Sequence, residues 1–198
     1  MDELYLQLAE AGCLLFGDFK LKSGLLSPVY VDFRRVVGYP VLLRGLGEAL
    51  AARAREIGCD RLAAIPYAGL PLGVAAALAG DLPLIYARRE VKEHGTARQI
   101  EGEYQAGERV LVIDDLITDG GSKIEAIAPL EEAGLVVRDV LVVLDREQGG
   151  ARLLAQAGYT LHALGTLSGA LEVLVAAGKV SEEMRSAVAE FIASHQMG

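Results

Sequence analysis

Arg109-Val-Leu-Val-Ile-Asp-Asp-Leu-Ile-Thr-Asp-Gly-Gly-Ser-Lys123 decides the fold, because an apolar run meets two adjacent carboxylates and then a glycine-rich turn that opens a helix. Residues 110–113, apolar and β-branched, read as a buried parallel strand. Residues 122–134 carry apolar side chains at helical spacing and stop at a glycine. Between the two, Thr118, Asp119, Gly120, Gly121 and Ser122 point several backbone N–H groups at one anion, and the helix macrodipole adds to them. A phosphate monoester suits that turn. Asp114 and Asp115, at the carboxyl end of the strand, are placed to accept hydrogen bonds from a diol or to act through a hydrated divalent cation. Together they describe a phosphorylated ribose. Glycine-rich turns after strands also occur where nothing binds, and it is the carboxylate pair that favours a site. Neither Gly-x-x-x-x-Gly-Lys-Ser/Thr nor Gly-x-Gly-x-x-Gly occurs, which argues against P-loop and dinucleotide sites.

Composition narrows the field. The 198 residues, 52% hydrophobic and 23% charged, suffice for one domain, 1–198, with a sizeable core and no compositional break. A net charge of −8 argues against nucleic acid or an anionic membrane as partner. Cys13 and Cys59 lack metal-like spacing and read as packed thiols in a reducing environment, while His162 and His195 lack partner motifs and read as surface or packed residues. No apolar run reaches the ~20 residues of a membrane helix, and the start is acidic, so the expectation is a soluble cytoplasmic protein.

Helical and strand patterns alternate. Helices are predicted over 4–11, 41–57, 70–78, 122–134, 172–177 and 182–194; strands over 62–65, 84–87, 110–113, 136–144 and 161–164, with an extended segment through 30–33. That order predicts an α/β fold with right-handed crossovers and a mainly parallel sheet covered on both faces, its ligands at the carboxyl ends of the strands. The connection 88–107 is unusually long and poor in apolar residues, and reads as a functional lid. Its Arg88, Arg89, Lys92 and His94 can neutralise a polyanion, although Glu90 and Glu93 dilute the charge enough for a merely solvated loop.

Asp-Asp-x-x-Thr-x-Gly-x-Ser at 114–122 resembles the phosphoribosyl pyrophosphate (PRPP) signature of type I phosphoribosyltransferases. Lys-x-His-Gly at 92–95 and Phe-Lys-Leu-Lys-Ser-Gly-Leu-Leu-Ser-Pro-Val-Tyr-Val-Asp at 19–32 narrow the resemblance to orotate phosphoribosyltransferase, over nearly the whole chain. The resemblance implies a small N-terminal hood, 1–35, that covers the base, and a flexible catalytic loop, 88–107. It implies catalytic roles for Lys92, His94 and Asp115. PRPP would meet Lys22, Tyr67, Arg88, Arg89, Lys92 and His94, and the loop Asp114, Asp115, Leu116, Ile117, Thr118, Asp119, Gly120, Gly121 and Ser122. Orotate would meet Tyr30, Val31, Thr118 and Arg146, the last in Leu-Asp-Arg-Glu-Gln-Gly-Gly at 144–150. Arg89 stands where many members have lysine, and Ala68 where some carry a lysine near pyrophosphate.

The implied reaction moves the 5-phosphoribosyl group from PRPP to N1 of orotate, giving orotidine 5′-monophosphate and pyrophosphate, a step of pyrimidine biosynthesis. Mg²⁺ would ride mainly on PRPP with few or no direct protein ligands. The resemblance also implies a homodimer in which the lid of one subunit serves the other. A purine or xanthine phosphoribosyltransferase would share the PRPP loop without the 19–32 and 144–150 runs. A non-catalytic PRPP-binding regulator would be expected to lose the lid cations, and a phosphatase-like hydrolase would use an Asp nucleophile instead of them.

Overall fold

The computed structural model describes residues 1–20, 24–88 and 99–196. Lys22, Arg89, Lys92 and His94 lie outside the described residues.

The chain opens with helix α1 (Asp2–Glu10) and a hairpin, β1 (Leu14–Lys20) with β2 (Leu26–Val31), then a 3-10 turn (Phe33–Gly38). Helix α2 (Pro40–Ile57) starts on a proline whose missing N–H costs nothing in the first turn, and it stops at Gly58, φ 77°. There follow β3 (Arg61–Ala64), α3 (Gly69–Gly80), β4 (Leu84–Ala87), the short β5 (Ile100–Glu101), β6 (Arg109–Ile117), α4 (Gly121–Glu132) and β7 (Val136–Asp145). The last elements are α5 (Gly150–Gln156), β8 (Thr160–Thr166), α6 (Leu167–Ala176) and α7 (Glu182–Ser194).

Among the described residues the strands form a sheet in the order β5-β4-β3-β6-β7-β8. All its pairings are parallel except β4 with β5, which closes the base of the 88–107 connection as an antiparallel edge. The expectation of a mainly parallel α/β sheet is met. Side chains alternate across the pleat of β6: Leu111 and Ile113 enter one core with Leu46, Leu72 and Leu171, while Val110 and Val112 enter the other with Ile127, Leu130 and Leu154. Helices therefore cover both faces, α2, α3 and the terminal helices on one and α4 and α5 on the other.

Several boundaries differ from the sequence prediction. Strand β6 runs on through Ile117, because Asp114, Leu116 and Ile117 continue the ladder with β7, so the two carboxylates sit in the strand itself. Helix α6 starts at Leu167, five residues before the predicted start, since Thr166 caps it by accepting the N–H of Gly169 at 3.0 Å. Helix α5 and β5 were not predicted; both are too short for a periodic signal.

Candidate active site

The carboxyl ends of β3, β4 and β6 converge on the site. A cavity of about 820 Å³ opens there, and Tyr67, Arg88, Asp114, Asp115 and Ser122 from the predicted set line it. Thr118, Tyr30, Val31 and Arg146 lie outside its lining.

The turn after β6 is held by its own hydrogen bonds. Gly120 adopts φ 92°, a conformation that L side chains resist. Asp119 Oδ1 accepts the N–H of Gly121 at 3.0 Å, and the N–H of Lys123 returns to the Gly120 carbonyl at 3.0 Å. The chain thereby presents the N-terminus of a twelve-residue helix at the strand ends.

The two carboxylates differ. Asp114 is buried and ion-paired with Lys123 at 2.5 Å, whereas Asp115 is half-buried and accepts the N–H of Leu116 at 2.8 Å. Burial, reinforced by the neighbouring charge of Asp114, pushes the Asp115 carboxyl up to about 7. Lys123 had not been singled out from the sequence. A cation in the first turn of a helix opposes the macrodipole, and that mismatch was the available signal of a carboxylate partner.

Arg146 follows β7 on a constrained loop. Its N–H donates to the Ile117 carbonyl at 3.0 Å, and the N–H of Gly150 donates to the Thr118 carbonyl at 3.0 Å, so this loop and the turn are laced together. Glu147 occupies φ 60°, an uncommon region for a non-glycine residue. It is held there by its N–H on Asp145 Oδ1 (2.7 Å) and by its carboxylate, which accepts the N–H of Ser168 (2.8 Å). Arg146 Nε and the side-chain amide oxygen Oε1 of Gln148 are both buried, and among the described residues neither has a hydrogen-bond partner. Burial lowers the pKa of the Arg146 guanidinium. An arginine held this way gains from a ligand that accepts its hydrogen bonds.

The other assignments vary. Arg88 reaches the cavity but its guanidinium pairs with Glu101. On β2, Val29 and Val31 pack on the core, while Tyr30 points to the opposite side, against Phe19 with ring centroids 5.7 Å apart. Val31 therefore belongs to the packing more than to an open face. Arg34, which sequence reasoning passed over, lines the cavity and is gripped by both oxygens of Asp32 at 2.6 and 2.8 Å. His162 is packed, with Nε2 2.9 Å from Asp139 Oδ1.

The chain is 38% identical to the orotate phosphoribosyltransferase of Pyrococcus furiosus over 183 residues, 91% of this chain and 99% of that protein. It belongs to the orotate phosphoribosyltransferase family. A uridine 5′-monophosphate synthase from Caenorhabditis elegans is 40% identical over 89% of this chain but only 36% of its own length. The UMP synthase structure from Leishmania donovani superimposes with a TM-score of 0.89 at 38% identity, over 98% of this chain and 42% of that one. The chain spans between 36% and 38% of the length of the bifunctional PyrF/PyrE enzyme of Nostoc and the uridine 5′-monophosphate synthases of Caenorhabditis elegans and Bos taurus that it matches. No family model matches it. The type I phosphoribosyltransferase fold expected from the sequence is the fold found. Among the described residues no helix is long and apolar enough to cross a membrane.

Proposed function

We propose that this orotate phosphoribosyltransferase homologue transfers the 5-phosphoribosyl group of PRPP to N1 of orotate, releasing pyrophosphate and giving orotidine 5′-monophosphate. The observation that carries the reading is Arg146, a buried guanidinium edge without a partner among the described residues, tied by backbone to the turn built for a phosphate. A planar base bearing a carboxylate supplies the bidentate acceptor that an arginine fork favours.

Breaking the anomeric bond builds positive charge on the ribose and negative charge on pyrophosphate, and groups matched to those charges lower the barrier. Asp115 and the turn 118–122 would hold the phosphorylated sugar, and Arg146 and Tyr30 the base. Lys92, His94 and Arg89 would meet the leaving pyrophosphate. Arg88 would add less, its charge being shared with Glu101.

Among the described residues no three His, Cys, Asp or Glu side chains converge. With Asp114 already satisfied by Lys123, that donor set fits an Mg²⁺ ion carried in on PRPP oxygens and its own water. The chemistry such an ion would supply is neutralisation of charge on the leaving group. The residues that would hold the loaded substrate are Asp115 and the turn.

A homodimer with shared sites completes the reading. Val74 and Leu78, one helical turn apart on α3, are 47% and 82% exposed, an apolar pair that a second copy would cover. The unpaired Cys13 and Cys59 suit a reducing cytoplasm.

The test is formation of orotidine 5′-monophosphate from orotate, PRPP and Mg²⁺, with uracil, adenine and phosphate release as controls. EDTA should abolish turnover. Transfer to adenine in place of orotate would overturn the substrate, and phosphate release without nucleotide would overturn the reaction.

A further inference from the structure

Arg146 stands between two carboxylates in the sequence, Asp145 and Glu147, and among the described residues neither accepts a hydrogen bond from its guanidinium. A neighbouring acid is the readiest partner for a half-buried arginine, so its absence needs a cause. Both acids are engaged elsewhere. Asp145 Oδ1 accepts the N–H of Glu147 at 2.7 Å. Glu147 Oε2 accepts the N–H of Ser168 at 2.8 Å, beyond the end of β8, whose Thr166 pairs in register with Asp145.

Helix α6 supplies the pull. Its first turn holds no acidic residue of its own. Thr166 Oγ1 takes the N–H of Gly169, and Glu147 takes that of Ser168, so a residue from another loop brings the negative charge that a helix N-terminus favours. The backbone is a second, separate observation. Glu147 sits at φ 60°, a region costly for a residue with a Cβ and kept only where the surroundings impose it. Asp81, at φ 52°, is the other such residue described, but it ends helix α3, where the left-handed conformation is common. Glu147 ends no helix.

We propose that Glu147 is a positioning residue for the base: the amide at the start of α6 draws its carboxylate away from Arg146, and the turn held in this way leaves the guanidinium open to a ligand carboxylate. The inference deepens the orotate reading argued above and rests on it. Two kinds of damage follow. Without the Glu147 carboxylate the turn loses its tie to α6, and Arg146 its placement. Without the Ser168 N–H the carboxylate is released one residue from Arg146, which it then neutralises.

Steady-state kinetics of full-length variants, with each substrate varied, test this. Glu147→Ala should raise the KM for orotate about tenfold, with kcat within about threefold and the KM for PRPP within about twofold. Glu147→Gln keeps an acceptor oxygen and should hold the orotate KM within about threefold of wild type. Ser168→Pro deletes only the donor, at a place where a first helical turn tolerates proline, and should copy Glu147→Ala. In an Arg146→Ala background, Glu147→Ala should add less than about twofold, because it acts through the arginine. An unmoved orotate KM in Glu147→Ala overturns the proposal. Equal rises in both KM values overturn it too, since they would mark a general loosening of the loop. So do losses that multiply in the double variant, which would make Glu147 independent of Arg146. Should Glu147→Ala not fold, Glu147→Gly, free of the left-handed penalty, takes its place and is read in the same way. An Arg146→Ala variant with normal orotate KM would instead remove the base-site reading, and this inference with it.

Discussion

The N–H of Arg146 donates to the carbonyl of Ile117 across 3.0 Å, which makes the end of β7 and the start of the glycine-rich turn after β6 one mechanical unit. Gly150 locks the same junction. A Cβ there would lie 2.5 Å from Ile117 Cγ1 and 2.9 Å from the Thr118 carbonyl oxygen, both closer than real contacts allow. Gly150→Ala must push the turn aside, at about 1–3 kcal/mol typical of overpacking, and should raise KM for PRPP and orotate together. Steady-state kinetics with each substrate varied, beside a thermal melt, would show it. Normal KM values for both would mean that the junction does not transmit.

Arg146→Ala should act on one substrate. The side chain sits on a rigid loop and would hold orotate in ground and transition states alike, so the KM for orotate should rise more than kcat falls, with PRPP binding nearly intact. Arg146→Lys should recover only part, because a point charge lacks the fork. An unchanged orotate KM in Arg146→Ala removes it from the base site.

Lys92→Ala should show the opposite profile. A cation that matters as the anomeric bond breaks should, when removed, lower kcat and kcat/KM together, by on the order of 10². Mixing inactive Lys92→Ala with inactive Asp115→Asn then asks whether sites are shared, because hybrid dimers would carry one intact site. Hybrids that form and recover no activity would sink the shared-site arrangement.

The carboxyl of Asp115 gives a pH prediction of defined sign. It is raised from 3.8 to about 7 on folding, so between those values the folded chain holds a proton that the unfolded chain releases. Its contribution to stability is complete below about 3.8 and is lost as pH rises through about 7. PRPP use should run the other way, climbing as the carboxylate forms. Urea midpoints of ligand-free protein at several pH values, compared with Asp115→Asn, isolate the term: the wild type should lose ground against the variant toward pH 7, and parallel profiles would disprove the linkage.

The sheet was legible because its central strands are apolar runs: residues 110–113 and 136–144 lie in β6 and β7, and the turn at 118–122 opens a helix as read. The site was legible in part. Asp115 and Ser122, from one stretch of chain, meet Tyr67, from another, at the cavity. Lys123 was not legible as a partner, since a lysine at a helix start normally reads as solvated and only the strand–turn–helix geometry folds it back onto Asp114 nine residues earlier. Arg34 was missed for a related reason: its grip by Asp32 is local, but its place at the cavity depends on how the hairpin packs. Two-residue β5 is set by its partner Tyr86–Ala87 and not by its own residues.

The hydroxyl of Tyr5 accepts the N–H of Thr166 at 3.0 Å and donates to its carbonyl at 3.2 Å, with the ring filling the space a side chain at Gly165 would need. This contact joins residues 161 apart in sequence, and Leu8 shares a core cluster with Leu167, Leu171 and Val188. During synthesis, helix α1 therefore has α2 and β1 beside it but waits without the α6 part of its docking surface until most of the chain has left the ribosome. Such late, non-local closure slows folding and leaves α1 exposed to chaperones and proteases in the interval. Ribosome-bound chains arrested before β8 emerges should be cut within α1 by limited proteolysis, and chains extended beyond α7 should resist; equal cutting of both would show that α1 docks elsewhere first.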